Sequence, residues 1–148
     1  MKKKLLSLLV AVCLFIPCLF MLSACGNNVV GKYTVSEITM GDTTWSKAEF
    51  EEKKDSEDLN ATEKMFVEMC ASFFELNFEF KEDGVVVQTA NVLGVETSEE
   101  GTYTVDGDKV VITYSKGDSD ELTFKDNTLT CIEDLGANTQ FKIVFAKN

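Results

Sequence analysis

From Phe74 onward the chain commits alternate side chains to opposite faces. Phe74, Leu76, Phe78 and Phe80 alternate with Glu75, Asn77, Glu79 and Lys81. A period of two is that of a strand with one face on a core and the other in water. Glu82-Asp83-Gly84 follows, and Asp-Gly favours the hairpin turns that match sheet twist. The same unit then recurs to the end of the chain. Val85 to Thr89 returns from the turn, and Gly101 to Val105 sets Tyr103 and Val105 on one face. Asp106-Gly107-Asp108 turns into Lys109 to Ser115, where Val110, Ile112 and Tyr114 alternate. Lys116 to Asp120 is the next turn. Leu122 and Phe124 mark a strand, Asp126-Asn127 turns into Thr128 to Ile132, and Phe141, Ile143 and Phe145 point inward from the last strand. Asn91 to Glu100 is polar and reads as a loop or an irregular strand edge.

Before Phe74 the pattern differs. Val30 to Met40 reads as a strand with Tyr33 and Val35 on one face, and Gly41-Asp42 as a turn. Ser46 with Glu49, and Asn60 with Glu63, each have the spacing of a capping box. The first opens a short helix to about Lys54, weak because Glu49 to Asp58 is nearly all charge. The second opens a better one, about Ala61 to Ser72, on which Met65, Phe66, Met69, Cys70 and Phe73 recur at helical spacing. Eight short strands joined by tight turns predict an antiparallel meander, and closure into a barrel removes its exposed edges. The predicted fold is therefore mainly β: a small antiparallel barrel of about eight strands, with a helical insert after the first strand capping one open end.

The amino terminus predicts where the domain resides. Lys2, Lys3 and Lys4 precede an apolar run from Leu5 to Leu22, then Ser23-Ala24-Cys25. A positive start, an apolar stretch and small residues before a cut site describe a secretory signal. A retained spanning helix is the rival reading, but no positive charge stops the run before Lys32. Leu22-Ser23-Ala24-Cys25 resembles the lipobox of bacterial lipoproteins. That resemblance implies cleavage before Cys25 and lipidation of its thiol with diacylglycerol, whose two chains anchor firmly. The expected organisation is a signal peptide over 1–24, a lipidated tether over 25–29 and a barrel over 30–147. The expected address is the outer face of the bacterial cytoplasmic membrane, with the outer membrane as the alternative.

Charge and composition exclude several classes. Cleavage removes three lysines and no acid, leaving 25 acids against 11 lysines, a formal −14. Such a domain repels nucleic acid and anionic headgroups. The chain has no histidine, so Ser-His-Asp and Cys-His catalysis are impossible and the commonest transition-metal ligand is missing. No enzymatic activity, cofactor or metal is expected. Asp106 with Asp108, and Asp118, Asp120 and Glu121, lie on neighbouring turns, but turns favour Asp for backbone reasons and no EF-hand spacing is present. Cys13 and Cys18 leave with the signal, so Cys70 and Cys131 are either one disulfide or two buried thiols.

A second resemblance covers Val30 to Lys147. Gly31-Lys32-Tyr33 resembles the Gly-x-Trp opening of lipocalin-like barrels, with tyrosine replacing tryptophan; Trp45 lies too late to substitute. Phe80-Lys81-Glu82-Asp83-Gly84, Gly101-Thr102-Tyr103, Asp106-Gly107-Asp108-Lys109-Val110 and Phe141-Lys142-Ile143-Val144-Phe145 follow in order. Together they resemble the small lipocalin-like domains of clostridial and related bacterial lipoproteins. Lipocalin relatives often bind apolar ligands inside the barrel, though fold does not fix function. On that expectation Tyr33, Phe78, Tyr103 and Tyr114 are candidate wall residues, with Met65 and Met69 on a helical lid. The alternative is a filled core in a structural or protein-interaction domain, with a surface protein as partner instead of a small apolar ligand.

Overall fold

A computed structural model describes residues 28–92, 94–136 and 139–148. The signal segment and Cys25 lie outside the described residues. The strands after the insert are β3 (Asn77–Phe80), β4 (Val85–Val92), β5 (Val95–Asp106), β6 (Lys109–Tyr114), β7 (Ser119–Lys125), β8 (Thr128–Asp134) and β9 (Gln140–Lys147). Each pairs antiparallel with the next. The first strand, β1 (Gly31–Met40), closes the ring by pairing with β3 through Gly31–Thr34 and with β9 through Tyr33–Met40. The result is an eight-stranded antiparallel barrel with a helical insertion, as the alternation predicts.

A ninth strand was not expected. β2 (Thr43–Ser46) folds back on Glu37–Met40, along the stretch of β1 edge that β3 leaves free. The insert then follows as α1 (Lys47–Lys53), α2 (Ala61–Cys70) and a single 3₁₀ turn, Phe73–Glu75. Both capping boxes form. Glu49 N–H donates to Ser46 Oγ at 3.2 Å, and Ser46 N–H donates to Glu49 Oε2 at 2.9 Å. The Asn60–Glu63 pair repeats this at 3.0 Å in both directions. The 3₁₀ turn corrects the expected start of the following strand. Phe74 is buried from that turn, and pairing begins only at Asn77.

Register explains which side chains reach the interior. A bulge at Ser36 shifts the β1–β9 pairing between Val35 and Glu37. One extra residue restores the inward face, so Val35 and Ile38 are both buried despite a spacing of three. Asp126 and Asn127 both adopt positive φ, 50° and 61°, the backbone of a two-residue hairpin between right-twisted strands. Of the two readings of Asn91 to Glu100, loop or strand edge, the strand holds. The segment forms the tip of the β4–β5 hairpin, paired from Val85↔Thr102 to Val92↔Val95.

The two barrel ends are unlike. The turns after β3, β5 and β7, the carboxyl terminus and Val29 share the closed end. The helical insert, the β4–β5 tip and the turns after β6 and β8 share the open end. One continuous core runs through the barrel into the insert. Gly101 leaves no room for a side chain between β5 and β6: an added Cβ would stand 2.7 Å from the Thr113 carbonyl oxygen and 3.4 Å from the Tyr114 ring. Gly101→Ala is therefore expected to cost about 1–3 kcal/mol by overpacking. A lower urea midpoint at unchanged slope would show it, and an unchanged midpoint would refute the close approach.

Candidate functional site

The closed half of the interior is filled by rings. Phe80 is its centre: Tyr33 meets it edge-on at 5.7 Å, Tyr103 edge-on at 4.9 Å, and Phe78 tilted at 5.9 Å. Phe124 stands on the other side of Tyr33 at 6.3 Å, and Phe145 beside Phe78 at 5.0 Å. Three of the predicted wall residues, Tyr33, Phe78 and Tyr103, thus converge on one ring and occupy the space that a ligand in this half would need. Their hydroxyls are spent on backbone. Tyr33 Oη donates to the Val29 carbonyl at 2.8 Å, and Tyr103 Oη to the Lys81 carbonyl at 2.7 Å. Burial, with Tyr103 nearby, pushes the Tyr33 hydroxyl up to about 12. Burial, then the Asp83 and Glu82 charges, raises that of Tyr103.

Tyr114 lies at the opposite end. It is buried, and its hydroxyl donates to Asp120 Oδ2 at 2.7 Å across the β6–β7 hairpin. Burial and then this bond to a carboxylate hold its proton well above the ordinary phenol range. Beside it the β4–β5 hairpin projects past its neighbours, because β3 stops opposite Thr89 and β6 stops opposite Gly101. Strand parity turns Gln88, Ala90, Thr97 and Glu99 to the inner face there. With Ser98 and Lys116 they line an open groove of about 400 Å³. An amide, two hydroxyls, one carboxylate and one ammonium offer hydrogen bonds of both senses, and Ala90 is the sole apolar side chain in that lining.

Met65 and Met69 sit elsewhere again. α2 turns Phe66 and Cys70 inward, where Phe66 lies 4.7 Å from Trp45. Met65 and Met69 lie on the adjacent face, 50% and 48% exposed. Phe73 continues that face and touches Phe141 at 5.0 Å. The methionines face water, not a barrel interior. Cys70 and Cys131 are free thiols, so no disulfide joins them. Cys70 ends α2 within the insert, whereas Cys131 faces inward from β8. Burial pushes both up to about 11, helped at Cys131 by Glu133 and Asp120.

The two carboxylate clusters do not converge. Asp106 and Asp108 are in the closed-end turn, and Asp118 to Glu121 follow the open-end turn. The six residues of β6 between them span roughly 20 Å. Among the described residues no group of three or more His, Cys, Asp or Glu is arranged to hold a metal ion. Nor, among them, is any helix long and apolar enough to cross a membrane. Sequence reasoning passed over Gln88, Thr97, Ser98 and Lys116. Their signal was polarity on both faces of a period-two segment, which is what a hairpin projecting into solvent requires.

No protein-family model and no curated protein matches the sequence. Two solved structures are similar. A lipocalin-like protein from Bacteroides uniformis ATCC 8492 is 14% identical, with a TM-score of 0.48 over 82% of this chain and 100% of that one. An uncharacterized protein from Bacteroides eggerthii DSM 20697 is 12% identical, with a TM-score of 0.47 over the same shares.

Two predictions follow from the placement of these side chains. Phe66→Ala should cost about 3–5 kcal/mol, whereas Met69→Ala should stay within about 0.5 kcal/mol; chemical denaturation separates them, and equal costs would contradict the assigned helix face. The raised thiol and phenol values make the second. The folded state favours the protonated thiols, so their contribution is whole below pH 9 and is lost as pH rises through about 11, with Tyr33 extending the loss to about 12. The urea midpoint should fall across that window, and a flat profile would place these groups in water.

Proposed function

We propose that this chain is a lipid-anchored extracytoplasmic lipoprotein, displayed on the outer face of a bacterial cytoplasmic membrane, whose lipocalin-like barrel is a non-catalytic recognition scaffold with a filled core. The filled closed half carries the reading. Contacting rings around Phe80 occupy the space where an apolar ligand would sit, and the groove at the open end is shallow and bordered by Gln88, Thr97, Ser98, Glu99 and Lys116. Recognition on this reading uses the open end and the outer surface.

Anchoring rests on the Leu22-Ser23-Ala24-Cys25 sequence, and the fold is compatible with it. Val29 is buried at the closed end beneath the Tyr33 hydroxyl. Cys25 precedes it by four residues, a reach of at most about 14 Å. A lipid there holds the closed end toward the bilayer and the groove away from it. Charge favours the same orientation. The closed-end turns and the strand ends beside them set Glu79, Glu82, Asp83, Asp106, Asp108 and Asp126 against Lys32, Lys81, Lys109, Lys125 and Lys147, six acids to five lysines, with Glu79 paired to Lys32. The other 19 acids and six lysines lie farther from the anchor, where repulsion from anionic lipid is weakest.

Radiolabelled palmitate should enter the wild-type chain in a bacterial host and be absent from Cys25→Ser, which should run as the larger uncleaved precursor. Label retained in the variant would overturn the anchor. Native mass spectrometry of the signal-free Cys25→Ser domain should give the bare mass. An apolar adduct that survives gentle ionisation and leaves on denaturation would overturn the filled core and restore the small apolar ligand.

A further inference from the structure

The ring of strands has a weak seam. β7 and β8 pair only through Thr123↔Thr130, Phe124↔Leu129 and Lys125↔Thr128. Beyond that, Ser119–Leu122 remain bonded to β6 and Cys131–Asp134 to β9 on their far sides. Among the described residues, the edges they turn toward each other have no strand partner. Unpaired N–H and C=O groups in a row are a template for another strand; closure covers most edges of the barrel but leaves this facing pair open, as it does the projecting β4–β5 tip and the outer edge of β2.

We propose that the β7–β8 seam binds an extended, lysine- or arginine-rich polypeptide segment by strand addition. The occupant is set by charge. Asp118, Asp120, Glu121, Glu133 and Asp134 border the seam on both faces. Lys109 pairs with Glu121 from β6, and Lys116 lies in the turn beyond. Glu133 and Asp120 both act on the Cys131 thiol, which faces the interior behind the seam, so carboxylates of both edges lie close to one point, Asp120 with one oxygen hydrogen-bonded to Tyr114. A second copy of the chain would bring the same carboxylates against these, which like-charge repulsion opposes. Ile132 stands outward on the β8 edge, 57% exposed, as an apolar contact for alternate side chains of the added strand. Main-chain hydrogen bonds would supply affinity and the carboxylates selection for basic side chains.

The test uses the full chain in neutral detergent and a labelled ten-residue peptide alternating lysine and valine. Fluorescence anisotropy should report binding that weakens at least tenfold when glutamate replaces lysine. It should also weaken at least tenfold when alternate peptide nitrogens are methylated, since methylation blocks strand pairing and leaves charge intact. Hydrogen exchange should slow at Ser119–Leu122 or Cys131–Asp134. Ile132→Lys, which places a cation on the edge without disturbing the core, should weaken binding at least tenfold with an unchanged melting temperature. Val95→Lys, at the exposed hairpin tip, should have no effect. Equal affinity for the methylated peptide, protection confined to another edge, no binding at all, or self-association through the seam would each overturn the proposal.

Discussion

Ten residues of β1 serve three other strands, and the rest of the barrel depends on that sharing. One edge of Gly31–Met40 is given to β9 over most of its length. The other is divided, β3 taking the first four residues and β2 the last four. The chain therefore leaves β1 at the open end, covers the vacant edge with β2, builds the helices and re-enters alongside the start of β1. That division fixes where the insert lies. It also fixes which end is sealed, because Tyr33 ties Val29 down at the start of the strand and Asn148 N–H donates to the Lys32 carbonyl beside it. The Ser36 bulge keeps both halves of β1 facing the same core.

The filled half and the polar half follow from what each strand presents along its length. The inner face of β3 offers Phe78 and Phe80, and β1, β5, β7 and β9 each add at least one ring beside them. Edge-on and tilted aromatic pairs contribute about 0.5–1.5 kcal/mol beyond the area they bury, so a cluster centred on Phe80 favours a closed interior over an empty one. Toward the open end β1 and β9 stay apolar through Ile38 and Ile143 and carry the core into the insert, whereas the inner faces of β4, β5 and β7 change to Gln88, Thr97, Glu99 and Asp120. On that side a solid core cannot continue without burying charge unpaired. The open end is completed from outside the barrel by the Trp45, Phe50, Phe66 and Phe74 cluster of the insert.

Period and turn chemistry made most strands legible, and the departures share a cause. Thr43 to Ser46 has no pattern of its own; it is a strand because β1 has an unserved edge there. Phe74 continues the alternation of Phe78 and Phe80, yet the insert claims it through a stacked contact with Phe50 at 4.4 Å. Met65, Phe66, Met69 and Cys70 form an apolar stripe wider than the face α2 can bury, and spacing alone does not say which half turns inward. Asn91 to Glu100 resembles a loop because strands are recognised by an apolar face, and a hairpin standing clear of the barrel needs none. In each case a tertiary neighbour decided what local pattern left open. The same limit applies to the site. Tyr33, Phe78 and Tyr103 were legible as inward-facing, but that they fill one another's space appears only when their strands are brought side by side.

A filled interior changes what the surface must do. A barrel with a cavity can recognise through its lumen, whereas this one has its closed half full of contacting rings and a seam between β7 and β8 unpaired. An unpaired seam is a hazard to any soluble domain, since identical edges can pair when copies meet. The carboxylates along β7 and β8 answer that hazard. They oppose pairing between copies while leaving the backbone groups open to a strand of opposite charge. Ile132 fits the same logic: a lone apolar side chain among acids is too small a patch to drive association, but it adds contact once a complementary strand is in place. Solubility and selectivity at this edge thus arise from the same residues, and the excess of acid over lysine in the domain is concentrated on the parts of the fold that the closed end does not use.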